Sequence, residues 1–137
     1  MLTVSGRAAL GVQWTMRVLG AAGLFLHKAL WRVARQEWAG RALIEALGSP
    51  DPDLRTLAGM FLVQGGDRAQ PLVEEALSRR THLPLVLAIA GDLADRRLEP
   101  ELVRFSEDRD PDVAKAAQEA LRVFHVRHQD LSKSPRP

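Results

Sequence analysis

The sequence predicts an all-α chain, a short α-solenoid of antiparallel helix pairs with a long amphipathic helix at its N-terminus. Three observations carry this expectation. The opening Asp51-Pro52-Asp53-Leu54 returns as Asp110-Pro111-Asp112-Val113. Between and around these copies, apolar residues recur at helical rather than alternating spacing. The aromatic and β-branched enrichment that strands use is missing, with four Phe, three Trp and no Tyr in 137 residues. A chain of this length forms one domain with a continuous core, and its 46% apolar and 26% charged residues are ordinary for a globular protein.

The repeated stretch defines the first helix of a unit. The Asp51 side-chain oxygen caps the helix, Pro52 fits its first position where no N–H is needed, and Asp53 lies near the positive end of the dipole. Leu54, Leu57, Ala58, Phe61 and Leu62 then make one apolar face until Gly65-Gly66 stops the helix and Asp67 begins the next. Leu43-Ile44-Glu45-Ala46-Leu47 matches Leu72-Val73-Glu74-Glu75-Ala76-Leu77 with one inserted glutamate, so these read as equivalent second helices. Pro84-Leu85-Val86 with Ile89-Ala90-Gly91 repeats Pro52-Asp53-Leu54 with Leu57-Ala58-Gly59, and Val113 with Ala117 repeats it again. The predicted helices are 39–47, 52–64, 69–80, 84–94, 99–107 and 111–126. Connections this short set neighbours antiparallel, and Ala58 and Ala117 are expected buried where helices cross.

Three segments follow: a basic N-terminal helix over 1–37, a repeat body over 38–126 and a flexible tail over 127–137. Residues 1 to 36 hold Arg7, Arg17, Lys28, Arg32 and Arg35 and no acid, a charge of +5 within a net +2. The body is therefore mildly acidic and mixed in sign, which argues against nucleic-acid binding by the repeats. Without cysteine there is no disulfide, Fe–S or thiolate zinc site. In the N-terminal helix, Arg17, Lys28, Arg32 and Arg35 share a stripe with Trp14 and Trp31 at its borders, opposite Val12, Leu19, Leu26, Leu30 and Val33. Two readings stay open. Either the helix caps the array by packing Val12, Leu19, Leu26, Leu30 and Val33 on the 39–47 helix, or it lies in an anionic membrane surface through Trp14, Arg17, Lys28, Trp31, Arg32 and Arg35. Its longest uncharged apolar run, Val18 to Leu26, falls far short of the roughly 20 residues a span needs. A targeting segment is the third option.

At this point the chain resembles the HEAT repeat family, within it the short bacterial HEAT-like repeats also found in phycobilin lyases. The residues that carry the resemblance are Asp51-Pro52-Asp53-Leu54 with Ala58, Asp110-Pro111-Asp112-Val113 with Ala117, Ala120 and Leu121, and Gly65-Gly66-Asp67. The middle unit departs from it, with His82-Leu83-Pro84 in place of the Asp-Pro-Asp cap. The resemblance implies a scaffold that binds other proteins, and the lyase relation implies the alternative of an enzyme subunit handling a bilin-like cofactor.

Nothing in the residues points to catalysis. His125 and His128, one turn apart, make a poor metal site with no third ligand beside them. Asp92 and Asp95 read as capping or solvated acids, and Gly65-Gly66 lacks the Lys-Ser/Thr of a phosphate loop. The expected function is that of a non-catalytic adaptor without cofactor, cytoplasmic unless its N-terminal helix attaches it to a membrane. It would bind a mixed-charge protein or peptide on the surface of the second helices through Glu75, Arg79, Glu101 and Arg104, opposite Leu72, Val73, Leu102 and Val103.

Overall fold

The computed structural model describes residues 20–29 and 37–133. Every regular element among them is helical: α1 (20–29), α2 (Glu37–Ala46), α3 (Pro52–Gly65), α4 (Ala69–Ser78), α5 (Leu83–Leu93), α6 (Glu99–Ser106) and α7 (Pro111–Lys133), with single 3₁₀ turns at Gly66–Arg68 and Arg96–Leu98. Trp14, Arg17, Trp31, Arg32 and Arg35 lie outside the described residues, as do Val12, Leu19, Leu30 and Val33. Among the described residues no helix is long and apolar enough to cross a membrane.

The caps form as the residues dictate. The Asp53 N–H donates to Asp51 Oδ1 at 2.9 Å, and the Asp112 N–H donates to Asp110 Oδ1 at 3.0 Å. At the other end of α3, Gly66 takes φ 56°, a left-handed turn that favours glycine, and the chain steps through the 3₁₀ turn into α4. The middle unit starts differently. His82 makes no side-chain cap; it adopts φ 47°, its carbonyl accepts from the Val86 N–H at 3.0 Å, and its ring lies so close to Gly48 that a Cβ there would collide with it.

The helices fall into two sets. In the first, α3 packs beside α5 and α5 beside α7; in the second, α2 packs beside α4. Across the sets, α2 leans on α3, α4 on α5 and α6 on α7, while α3 with α4 and α5 with α6 touch only lightly. The packing units therefore straddle the expected pairs, because the turns that follow α3 and α5 carry the chain away from the helix just completed. Glu99 beside His125 and Ser106 beside Gln118 set α6 antiparallel to α7.

Small residues control the spacing. Ala58, Ala90 and Ala117 are fully buried, as the sequence predicts for Ala58 and Ala117. Gly91 on α5 lies directly against the backbone of Ala120 on α7, where an added Cβ would lie 2.6 Å from the Ala120 carbonyl oxygen. Helix α5 buries Leu83, Val86, Leu87, Ile89, Ala90 and Gly91, faces turned toward α3, α4 and α7. At about 25 cal/mol per Å² of apolar area, enclosing such a helix is a principal source of stability.

Two elements differ from expectation. Helix α7 continues to Lys133, past the expected end at 126, because no breaker stands before Pro135 and Phe124 and His128 stack one turn apart with ring centroids 4.6 Å apart. The tail expected from residue 127 is thus helical through Lys133. In α1 the one described residue of the expected packing face, Leu26, does not pack. Leu24 is buried, Gly20 approaches Leu54, and Phe25 meets Phe61 edge-on at 5.1 Å, whereas Leu26 is 60% exposed. The Lys28 ammonium lies 4.3 Å from the Phe61 ring centre and donates to Gln64 Oε1 at 2.8 Å. Its long apolar stem lets this cation lie against the body. Contacts that advance together, Gly20 with Leu54, Phe25 with Phe61 and Lys28 with Gln64, set α1 parallel to α3. Among the described residues α1 packs on α3 through these contacts.

Candidate functional site

Two stretches of helix face each other across an open groove. On α3, Arg55, Thr56, Gly59, Met60, Val63 and Gln64 share one flank; on α5, Leu85, Ala88, Ile89 and Asp92 face it at i, i+3, i+4 and i+7. Together with Leu47, Pro52 and Arg127 they line an open groove of about 630 Å³. Its depth comes from what is missing. Gly59 and Ala88 place almost no bulk in the middle, and a Cβ on Gly59 would meet Ile89 Cδ1 at 3.8 Å, an ordinary contact. Packing does not demand a glycine there. Met60, 53% exposed, and Leu85, 40% exposed, flank this floor with apolar side chains in solvent.

The groove is polar at its ends. Arg55 Nη1 donates to the Ser49 carbonyl at 2.7 Å, which fixes the guanidinium beside the N-terminus of α3. At the far end Arg127 Nη2 pairs with Asp92 Oδ1 at 3.2 Å, an exposed pair of the kind worth at most about 1 kcal/mol. Gln64, which accepts from Lys28, closes the α1 side. An apolar floor with a few charged groups at its margins suits a peptide segment more than a small polar substrate.

The residues expected to bind a partner lie elsewhere. Glu75 and Arg79 pair with each other at 3.0 Å on α4 and line a shallow depression of about 80 Å³ with Arg41, Ile44, Glu45 and Leu72. Glu101 and Arg104 pair at 2.5 Å on α6, and Arg104 also lies 5.1 Å over the Phe105 ring. The structure brings Glu75 and Arg79 to Arg41 and Glu45 but leaves Glu101 and Arg104 outside that depression. Val103, expected to face inward, is exposed.

The other polar candidates are divided among separate partners. His125 meets Glu99 at 3.4 Å, while His128 stacks on Phe124 with its Nε2 buried and unbonded. Asp92 pairs with Arg127, whereas Asp95 accepts the Arg97 N–H at 2.9 Å and the Arg97 side chain at 2.7 Å. Among the described residues no group of three His, Cys, Asp or Glu is placed to hold a metal ion. Compared with protein-family models, curated proteins and solved structures, the chain matches none.

A two-pronged charge contact joins segments distant in the chain. Arg80 grips Asp108 with two nitrogens at 2.9 and 3.2 Å, joining the turn after α4 to the loop before α7. The Arg80 fork, and after it the Asp110 N–H, holds the Asp108 carboxyl below the ordinary aspartate value; Arg97 does the same for Asp95. A carboxylate depressed in the folded state adds stability above its unfolded pKa, about 3.9, and loses it as pH falls through the folded value. Stability should therefore be flat near neutrality and decline below about pH 4, with a shallower acid decline and a lower neutral value in Asp108→Asn. Urea midpoints measured from pH 7 to pH 2 check this; the same acid slope in both proteins contradicts it.

Proposed function

We propose that the protein is a non-catalytic scaffold, a short α-solenoid of HEAT-like repeats that binds a segment of another protein in the groove between α3 and α5. The observation that carries this reading is the groove itself, an apolar trough flanked in solvent by Met60 and Leu85. Three features agree with it. First helices α3, α5 and α7 pack side by side, second helices α2 and α4 do the same, and α1 joins the first set as a cap on α3. Stacking of this kind holds two neighbouring helices at a fixed separation, which is what a docking trough requires. The mixed-charge face around Glu75 and Arg79 becomes the secondary contact region, since its charges already satisfy one another.

Affinity purification of the full-length protein is expected to return one stoichiometric protein, and Met60→Glu, which sets a charge on the rim at an exposed position, is expected to lose it. Retention of the same partner by Met60→Glu and by Leu85→Glu would contradict the groove assignment. Recovery of a bound chromophore and no protein would favour the cofactor-handling role and contradict the scaffold.

A peripheral membrane role is the second reading, favoured by Phe25 and Leu26, adjacent on α1 and both more than half exposed. Each basic residue near an anionic surface adds about 1 kcal/mol, so this binding would weaken with salt. Flotation with anionic liposomes at low salt separates the readings: a Phe25→Ser, Leu26→Ser double variant that no longer floats, beside a native protein that does, supports attachment, and native protein left unbound rejects it.

A further inference from the structure

We infer that the occupant of the α3–α5 groove is an amphipathic helix of a partner protein, apolar along one stripe and acidic at its edges. This rests on the scaffold reading above and adds the chemistry of the partner. From Arg55 to Gln64 the α3 flank advances nine residues, about 14 Å at 1.5 Å per residue, which is room for between two and three turns of a docked helix. Gly59, Ala88 and Ile89 give such a helix a low apolar floor, and Met60 supplies an unbranched, adaptable side chain at the rim. A helix laid in this trough presents apolar residues at i, i+3, i+4 and i+7.

Charge then chooses the class. Arg55 and Arg127 stand in the lining against a single acid, Asp92, and Lys28 reaches the lining residue Gln64 from α1. The margin is therefore net basic although the repeat body as a whole is acidic. Arg127 is only loosely committed, since its 3.2 Å pair with Asp92 is exposed, so a carboxylate from an incoming helix can join or replace that contact. The same sign disfavours occupation by this chain's own residues 1 to 19, which contribute Arg7 and Arg17 and no acid. It also disfavours a basic peptide.

The test is selection from a random 16-residue peptide library displayed on phage, with the full-length chain as bait. Binding of the winning synthetic peptide is then measured against native protein, Gly59→Leu and Arg127→Gln. Gly59→Leu fills the trough from a position where an added Cβ meets Ile89 only at ordinary contact distance, and it replaces a helical glycine by a better helix former, so its thermal midpoint should hold or rise. The expected result is a consensus with apolar residues at helical spacing and an acidic excess. Binding should be lost in Gly59→Leu, weaken roughly three- to tenfold in Arg127→Gln, and fall with added salt. A basic or uncharged consensus that Gly59→Leu still abolishes would overturn the partner class and leave the scaffold reading standing. An acidic consensus that binds Gly59→Leu as well as native protein would overturn the groove as its site. No enriched peptide, with native protein and Gly59→Leu retaining the same partner on affinity purification, would overturn the docked helix while leaving a scaffold that works through another face. A native protein found dimeric by light scattering and monomeric as Gly59→Leu would overturn it in favour of a second copy of the chain.

Discussion

The close approach of Gly91 of α5 to the backbone of Ala120 of α7 is the constraint on which the other dimensions depend. A helix nearly enclosed on three sides has no soft direction in which to move, and α5 is pressed by α3, α4 and α7 at once. Fully buried Ala58, Ala90 and Ala117 keep backbones near enough for the larger Leu62, Leu77, Leu87 and Leu98 to interlock around them. With α5 held by α7, its opposite flank is held at a fixed distance from α3. The groove is then a property of the packed layer, not of a loop that must be ordered on binding.

Polar contacts act on this frame locally. The Asp51 and Asp110 caps start α3 and α7, and the Arg80 fork on Asp108 joins the turn after α4 to the loop before α7. Around α5 the backbone is less comfortable. Arg80, His82 and Ala94 all take positive φ, an arrangement that costs about 1 kcal/mol or more at each non-glycine residue. The burial of α5 offsets that cost. The exposed pairs Glu75 with Arg79 and Glu101 with Arg104 contribute less, but by neutralising one another they leave the second-helix surface electrostatically quiet.

Much of the helix layout could be read from residues, and the site could not. Asp51-Pro52 and Asp110-Pro111 announced their helices because capping is local chemistry, and Ala58 and Ala117 announced their burial because they sit on apolar faces. His82 gave no such signal: the space its ring occupies depends on Gly48, 34 residues away. Leu26 was misjudged for a related reason. Helical periodicity ranks Leu26 above Lys28 as a core residue, yet Phe61 and Gln64 offer the lysine stem and ammonium a better place than Leu26 finds. The groove was invisible because it is made by small residues on separate helices, Gly59 and Ala88, whose absence of bulk matters only after α3 and α5 are set side by side. Glu75, Arg79, Glu101 and Arg104 drew attention as exposed charges, but a sequence does not show that such charges already have partners one turn away.

The Gly91 to Ala120 approach sets the spacing of the helices around α5, and the stability of Gly91→Ala tests this most directly. On intrinsic preference alone this substitution in a helix should stabilise the protein by up to about 1 kcal/mol. The new Cβ would meet backbone atoms of Ala120, which cannot rotate aside as a side chain can, so α5 and α7 must separate. The account predicts a net loss of about 1 to 3 kcal/mol in urea unfolding, the range found when well-packed sites are overfilled. A variant as stable as the native protein, or more stable, would contradict it.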